Sequence, residues 1–258
     1  MILEKHLRER RDSGRKLLVP YVTGGLGKDW VEVVRACEAC GADAIEIGIP
    51  FSDPIMDGKT IQEASQRALD LGATPASVIE QSRQLDVGIP LAVMTYYNLV
   101  AHMGDERFAA SLEQAGIDGA IIPDLPLDEL LLSDFAAASL THGVENVLLA
   151  SPTTTDERLA AICERSRGFI YGVSLMGVTG ERASLAGSAA IMGRRLKAAT
   201  DKPVLLGVGI SNPEQASEAA GYADGVVIGS ALVRKLLQSG GTEEAAAFVS
   251  ALRQALDR

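Results

Sequence analysis

Residues 41–58, Gly-Ala-Asp-Ala-Ile-Glu-Ile-Gly-Ile-Pro-Phe-Ser-Asp-Pro-Ile-Met-Asp-Gly, join a short apolar run to a polar, turn-rich loop. This pattern predicts a buried β-strand that ends near position 49. In a barrel strand, successive side chains point alternately into the barrel and out toward the helices. Ile45, Ile47 and Ile49 suit the helix-packed face. Glu46 is therefore predicted to point into the barrel.

The remaining chain repeats this strand-and-loop pattern. Short β-branched runs alternate with longer amphipathic segments, which predicts βα units and a parallel sheet. Eight units in 258 residues favour one (β/α)8 TIM-barrel domain over residues 1–258. The predicted strand cores are 17–22, 44–49, 91–96, 119–123, 147–150, 169–173, 204–208 and 225–228. The predicted helices lie near 28–40, 60–71, 103–115, 127–142, 155–165, 188–199, 213–221 and 243–257.

Two further helices are predicted outside this repeat, one near 2–13 before the first strand and a short one near 75–85 after the second helix. An open nucleotide-binding sheet would need three spaced glycines after its first strand. Gly25 and Gly27 supply two of them, but Trp30 stands where the third belongs. The pattern therefore disfavours dinucleotide binding.

Composition narrows the class of protein. The formal net charge of −10 disfavours nucleic acids and anionic membranes as partners. No apolar run reaches the roughly 18 residues of a membrane span, and the charged first segment lacks an apolar signal core. We therefore expect a cytoplasmic protein. Cys37 and Cys40 form a C-x-x-C motif within a predicted helix, without further ligands at zinc spacing, so we interpret them as structural thiols.

Carboxylates are the candidate catalytic groups. A Glu46 side chain buried in the barrel would have a raised pKa and could exchange a proton near neutral pH. A structural Glu paired with Arg or Lys is the alternative, but no basic residue lies within a strand core. Asp53 and Asp57 fall on the following loop, where barrel active sites are built, although both also occupy good turn motifs. Asp124, after the fourth strand, is an active-site, turn or interface candidate.

Three glycine-bearing segments, 177–180, 207–211 and 228–231, follow strands six, seven and eight. Glycine lets the backbone approach a ligand closely, and amides at a helix start bind anions. Phosphate in many barrels binds after strands seven and eight. Asn212 and Pro213 read as a helix start beside the second segment. These segments predict a phosphate site without specifying the ester.

Other catalytic groups are poorly placed. Lys16 and Lys202 precede strands and belong at the opposite end of the barrel, so a Schiff-base lysine is disfavoured. The histidines, His6, His102 and His142, are too scattered in sequence for a zinc cluster. No nucleophile-elbow serine occurs. Proton transfer by carboxylates is the chemistry that these residues leave.

Residues 41–58 closely resemble the signature of the tryptophan synthase α subunit. The resemblance spans nearly the whole chain, and it is most specific at 41–58, since several phosphate-binding barrels share the last two segments. It implies retro-aldol cleavage of indole-3-glycerol phosphate to indole and glyceraldehyde 3-phosphate in tryptophan biosynthesis. Further matching segments are 20–23, 94–98, 123–126, 177–180, 207–211 and 228–231.

The resemblance also implies roles for single residues. Glu46 is implied to protonate indole C3 and to act as general base. Asp57 is implied to hold the indole N–H and to stabilise the cationic intermediate, with Thr179 closing a lid loop over it. The substrate-binding residues that it implies are Tyr21, Met94, Tyr96, Ile121, Leu149, Tyr171, Thr179, Gly180, Gly209, Gly229 and Ser230.

A partner follows from the same resemblance. The family pairs with a pyridoxal-phosphate β subunit in an α2β2 heterotetramer, and Asp53 and Asn98 are implied to contact it. No cofactor or metal is expected in this chain. The sequence departs from the family pattern at 25–27, at Lys59 (commonly Pro) and at Leu99 (often Pro). We hypothesise that Lys59 replaces rigidity with charge in its loop.

Three alternatives remain open at this point. The chain could be a stand-alone lyase that releases free indole, or a non-catalytic α-like subunit that acts only on a β partner. A different phosphate-binding barrel, such as a sugar-phosphate isomerase, is the third. The intact Glu46 and Asp57 argue against the second alternative, and the motif at 41–58 argues against the third.

Overall fold

Eight parallel strands close into a barrel in their sequence order, β1 to β8. The structure is a computed structural model that describes residues 3–173, 185–238 and 241–258. The strands agree with the predicted eight-unit repeat, and the predicted TIM-barrel class is confirmed. The strands are β1 (Leu17–Thr23), β2 (Ile45–Gly48), β3 (Leu91–Met94), β4 (Gly119–Ile121), β5 (Glu145–Ala150), β6 (Ile170–Val173), β7 (Val204–Gly207) and β8 (Gly225–Ile228).

The helices surround this barrel, and both predicted extra helices occur, as α1 and α4. The helices of the described residues are α1 (Leu3–Asp12), α2 (Trp30–Ala39), α3 (Lys59–Asp70), α4 (Pro75–Ser82), α5 (Tyr97–Met103), α6 (Asp105–Gln114), α7 (Leu127–Leu132), α8 (Asp134–Thr141), α9 (Asp156–Arg165), α10 (Leu185–Ala199), α11 (Pro213–Ala220), α12 (Ser230–Leu237) and α13 (Gly241–Leu256).

Three helical predictions were incomplete. The helix near 103–115 is preceded by a separate helix α5, and Gly104, with φ of 92°, turns the chain between α5 and α6. The helix near 127–142 is broken at Ser133, whose extended backbone (φ −82°, ψ 151°) separates α7 from α8. Helix α12 was not predicted as a separate element. It begins directly after β8, at the mouth of the barrel.

Two apolar layers meet at the barrel wall. Ile45, Ile47 and Ile49 belong to the outer layer between strands and helices. Ala44 belongs to the inner layer, which fills the barrel. The alternation predicted for β2 is therefore confirmed. Leu3 and Leu7 of α1 are fully buried in the inner layer, so α1 closes the end of the barrel where the strands begin.

This closed end, which we call the barrel bottom, is tied together by buried aspartates. Asp43, just before β2, accepts a 2.9 Å hydrogen bond from the amide of Leu18 in β1. Asp224 does the same for Val204 in β7, also at 2.9 Å. Each carboxylate thus satisfies a backbone donor at the start of the neighbouring strand. The charged groups at this end hold the strands in place.

The cysteines, possible metal sites and possible membrane spans can be examined over the described residues. Cys37 and Cys40 lie on and at the end of α2, both as free thiols. Within the ranges that the structure describes, no cluster of three or more His, Cys, Asp or Glu side chains could hold a metal ion. Within the same ranges, no helix has the length and apolarity to cross a membrane.

Candidate active site

Glu46 lies on β2 with its side chain inside the barrel, as the alternation of β2 predicted. It is paired in register with Tyr21 of β1 and Ala92 of β3, and it is 1% exposed. The hydroxyl of Tyr171 of β6 acts on its carboxylate and favours the charged form. The atom Oε2 has no hydrogen-bond partner among the described residues. A buried acceptor without a partner is energetically costly, so it marks a position available for a ligand donor.

The electrostatics of Glu46 follow from this environment. Burial raises its pKa to about 8, the negative charge of Asp57 acts in the same direction, and the hydrogen bond from Tyr171 opposes both. Asp57 lies on the loop between β2 and α3 and is half-buried. Burial raises the pKa of Asp57 to about 6, and a hydrogen bond from Tyr96 opposes that rise.

The charge of Asp57 adds to the rise that burial gives the pKa of Glu46, so the two carboxyl groups titrate in separate pH ranges. Between about pH 6 and pH 8 the pair holds one proton, which favours Glu46 because its pKa is the higher. At neutral pH the site thus offers a buried acid and a neighbouring carboxylate. This arrangement suits a reaction that needs proton transfer at one atom and stabilisation of positive charge at another.

Three tyrosines surround the pair. Tyr21, Tyr96 and Tyr171 are all buried, and burial raises the pKa of each hydroxyl. The hydroxyls are therefore protonated at neutral pH and act as hydrogen-bond donors. Their rings were predicted to line the substrate site, and the structure brings all three toward Glu46 and Asp57, whose charges act on them.

Two glycines make room for these rings. A Cβ atom on Gly48 would lie 1.8 Å from the Tyr21 hydroxyl oxygen, and one on Gly207 would lie 2.4 Å from the Tyr171 ring. Neither distance is tolerable for real atoms, so glycine is required at both positions. Gly48 is two residues from Glu46, on the same face of β2. The sequence shows these glycines, but only the structure reveals which ring each one accommodates.

The predicted apolar lining comes from three consecutive strands. Met94 is paired with Ile121, and Ile121 with Val147, across β3, β4 and β5. Ile121 is fully buried in the inner layer. Met94 and Leu149 are half-buried and pack against that layer. Met94 and Leu149 thus retain exposed surface for a ligand, whereas Ile121 lies deeper.

The predicted phosphate cradle is described in part. Gly209, after β7, has φ of 82°, a conformation that favours glycine. Gly229 precedes α12, and Ser230 is its first residue. The first amides of a helix have no partner within the helix, so they can bind an anion. Asn212 caps α11 by accepting the Gln215 amide at 2.9 Å. Thr179 and Gly180, with the rest of 177–180, lie outside the described residues.

The other candidate residues, two carboxylates and one amide, have exposed surroundings. Asp53 is exposed and accepts a hydrogen bond from Ser52 at 2.6 Å. Asn98 is exposed on α5. Asp124 is exposed, and it accepts the Tyr97 amide at the start of α5 at 2.9 Å. The structure therefore joins Glu46 and Asp57 in one site and leaves Asp53, Asn98 and Asp124 on the surface.

Comparison with known proteins agrees with this geometry. A family model described as "Tryptophan synthase alpha chain" matches residues 7–257. The chain belongs to the tryptophan synthase alpha chain family. The predictions of this family and of a lyase of tryptophan biosynthesis are thereby confirmed.

Relatives of known name are similar over almost their full length. The tryptophan synthase alpha chain of Streptomyces coelicolor is 42% identical over 247 residues, which are 92% of this chain and 89% of the relative. That of Chloroflexus aggregans is 43% identical over 257 residues, or 96% and 95% of the two chains.

Solved structures give the same fold. The crystal structure of tryptophan synthase subunit alpha from Legionella pneumophila has a TM-score of 0.89 at 33% identity, covering 99% of this chain and 98% of that one. A structure of Mycobacterium tuberculosis tryptophan synthase has a TM-score of 0.89 at 38% identity, covering 98% and 97%.

Proposed function

We propose that the chain cleaves indole-3-glycerol phosphate to indole and glyceraldehyde 3-phosphate, with Glu46 and Asp57 as its catalytic residues. The observation that carries this proposal is the buried carboxyl pair, in which one member titrates near pH 8 and the other near pH 6. Retro-aldol cleavage of this substrate needs a proton on indole C3 and tolerance of positive charge at the ring nitrogen. A protonated Glu46 and an ionised Asp57 meet these two needs.

Glu46 both gives and regains a proton in the proposed reaction. Protonated Glu46 delivers its proton to indole C3, and Asp57 accepts the indole N–H and stabilises the cationic intermediate. Breakage of the carbon–carbon bond returns electrons to the ring while Glu46 takes the proton of the neighbouring side-chain hydroxyl. Glu46 is thus protonated again at the end, and the chain needs no metal or cofactor for this step. Oε2 of Glu46 has no hydrogen-bond partner within the described part of the chain, and this supports the role.

The remaining substrate contacts follow the same proposal. Tyr21, Met94, Leu149 and Tyr171 line the indole and glycerol positions, with Ile121 behind them. Backbone amides at Gly209, Gly229 and Ser230 hold the phosphate. The contacts that the resemblance implies for Thr179 and Gly180 fall outside the described residues. The start of α12 supports the phosphate assignment, because its amides and its dipole both favour an anion.

Members of this family pair with a β subunit, and we propose an α2β2 assembly for this chain, with pyridoxal phosphate confined to the partner. Asp53 and Asn98 would lie in the contact. Exposed apolar side chains on segments that follow β2 and β4 support a partner surface at the barrel mouth. They are Ile55, Met56, Leu131 and Leu132. Given its acidic charge and biosynthetic family, we place the protein in the cytoplasm.

An assay of indole-3-glycerol phosphate cleavage tests these proposals. The purified chain is measured alone and with a tryptophan synthase β subunit, by the release of indole and of glyceraldehyde 3-phosphate. We expect slow cleavage alone and faster cleavage with the partner. Fast cleavage without any enhancement would favour a stand-alone lyase. The absence of cleavage in both mixtures would contradict the lyase proposal and favour a non-catalytic subunit.

A further inference from the structure

Tyr96 connects two segments that meet at the barrel mouth. Its ring is buried, and it immediately precedes helix α5. Its hydroxyl oxygen accepts a 2.9 Å hydrogen bond from the backbone amide of Met56. Burial raises the pKa of the next residue, Asp57, and the Tyr96 hydroxyl opposes that rise. One side chain from the end of β3 therefore holds the loop after β2 at Met56 and acts on the carboxylate that follows it.

The chemistry of a hydroxyl fixes the direction of both contacts. A tyrosine hydroxyl has one proton to donate and lone pairs to accept with. Because the Met56 amide can only donate, the proton of Tyr96 remains available to favour the charged form of Asp57. The bond to the Met56 amide fixes the loop backbone directly before Asp57.

The ring is fixed in turn by its neighbours. Phe51 lies against Tyr96 with ring centroids 5.1 Å apart and an interplanar angle of 33°. Asp124 holds the first amide of α5, that of Tyr97, at 2.9 Å. The Tyr96 side chain is therefore held beside the Asp57 loop by its contact with Phe51 and by the fixed start of α5. By contrast, the Asp57 loop carries the exposed side chains of Ile55 (81%) and Met56 (50%).

We infer that Tyr96 is a positioning residue, which orients the Asp57 carboxylate for its part in cleavage by holding the adjacent Met56 amide and presenting its hydroxyl to the loop that carries Asp57. This inference rests on the proposed function, and it gives Tyr96 a task other than lining the substrate pocket. It also joins the catalytic loop to α5, which carries Asn98. A partner that displaces α5 would therefore displace Asp57.

The variant Tyr96→Phe removes the hydroxyl and keeps the ring. Tyr97→Phe is its matched control, because the Tyr97 hydroxyl bonds instead to Asp105 at 3.1 Å. Because the Tyr96 hydroxyl opposes the rise that burial gives the pKa of Asp57, its removal should raise that pKa further. We expect the acid limb of kcat/KM to move up by about one pH unit and kcat to fall about tenfold, with KM nearly constant. Tyr97→Phe should match the wild type.

A substrate contact and a purely structural role predict other results. If Tyr96 acted mainly on substrate, KM would rise and the acid limb would stay in place. If it acted only on folding, stability would fall with no shift of the limb. Either result overturns the inference. The substrate phosphate also titrates near pH 6, but it does so equally for all variants and cancels in the comparison.

A second measurement separates this inference from the proposed function. Carbon-13 NMR of labelled aspartate carboxyl groups follows the titration of Asp57 without substrate, and Asp57→Asn identifies its resonance. We expect a higher pKa for Asp57 in Tyr96→Phe than in the wild type or Tyr97→Phe. An unchanged pKa overturns the inference even if cleavage is active. A raised pKa in a chain that does not cleave supports the Tyr96 contact while the proposed function fails.

Discussion

Asp43, just before β2, and Glu46, within β2, are two buried carboxylates with opposite surroundings. At the bottom, Asp43 is 0% exposed and accepts hydrogen bonds from Arg15 at 2.7 Å, Arg253 at 3.2 Å and the Leu18 amide at 2.9 Å. Arg10 adds a fourth, at 3.2 Å. Three residues further along, Glu46 is 1% exposed. Within the described ranges, no cation influences its pKa and its Oε2 has no partner.

This difference separates stability from reactivity within one strand. The charge of Asp43 is fully compensated, so it ties α1, β1 and α13 to the start of β2. Burial raises the pKa of Glu46, and no basic group of the described residues opposes it, so the group keeps its proton to a higher pH. Proteins accept such costly groups where function needs them. The comparison predicts that substitutions at the two ends will have opposite consequences for activity and stability.

The largest expected effect is on catalysis at the mouth. Glu46→Gln keeps the size of the side chain but removes the exchangeable proton. We expect cleavage of indole-3-glycerol phosphate to fall by about 10³-fold, within the range for general acid–base groups. Steady-state kinetics on the purified variant measures it. A variant that retained most of its activity would refute the role assigned to Glu46 and remove the contrast between the two ends.

The next effect is on stability at the bottom. Asp43→Asn leaves three arginines around a neutral amide. We expect a loss of about 3–5 kcal/mol in the free energy of unfolding, because the remaining buried charge loses its partner. Urea denaturation measures this. The kcat of the protein that remains folded should be close to that of the wild type, since Asp43 lies far from the mouth.

A matched control uses the same chemistry on the surface. Asp201 is 87% exposed in its ion pair with Arg8, also at the bottom. Asp201→Asn should change the free energy of unfolding by less than about 1 kcal/mol. Equal losses for Asp43→Asn and Asp201→Asn would show that burial and the arginine cluster add nothing to the role of Asp43.

The pH dependence of stability gives a third test. The pKa of Glu46 rises from 4.5 to about 8 on folding, so the folded state binds this proton more tightly than the unfolded state. Its contribution is full below pH 4.5 and is lost as pH rises toward 8. Glu46→Gln has no such loss. We expect the variant to match the wild type near pH 4 and to exceed its stability at pH 9 by about 2–4 kcal/mol.

Urea denaturation of both proteins at the two pH values checks this difference. Glu145, whose pKa burial raises to about 7, is present in both proteins and cancels. If Glu46→Gln were less stable than the wild type at pH 9, the buried carboxylate would have an unrecognised favourable partner. The contrast between Glu46 and the ion-paired Asp43 would then fail.

The sequence predicted the inward position of Glu46 because side chains alternate between the two faces of a strand, and the isoleucines of β2 suit the face that packs against the helices. It predicted the number of strands because eight short β-branched runs alternate with longer amphipathic segments. It did not predict the break at Ser133, since the helix-forming pattern continues on both sides and only the backbone geometry reveals the interruption. Helix α12 was missed as a separate element because it is short and follows β8 without a loop.

Site details depended on contacts between distant segments. Nothing near Gly48 in sequence indicates that the Tyr21 hydroxyl will lie over it. The same holds for Tyr96 and the Met56 amide, which are 40 positions apart. The assignments of Glu46 and Asp57 as catalytic residues stay predictions, as do the substrate-binding and partner contacts, until the variants above are measured.

The smallest expected effect concerns Lys59, at the first position of α3. Burial and Tyr96 are the influences on the pKa of Asp57, and Lys59 is not one of them. The first position of a helix tolerates proline, and Gly58 before it is extended (φ −73°, ψ 160°). Lys59→Pro should therefore stabilise the chain by about 0.4–1 kcal/mol and leave basal cleavage unchanged. We expect it to alter the activation by a β subunit, measured as the ratio of cleavage rates with and without the partner. An equal loss of basal and activated cleavage would contradict the hypothesis that Lys59 replaces rigidity with charge. It would show instead that cleavage itself depends on the conformation of the whole loop after β2.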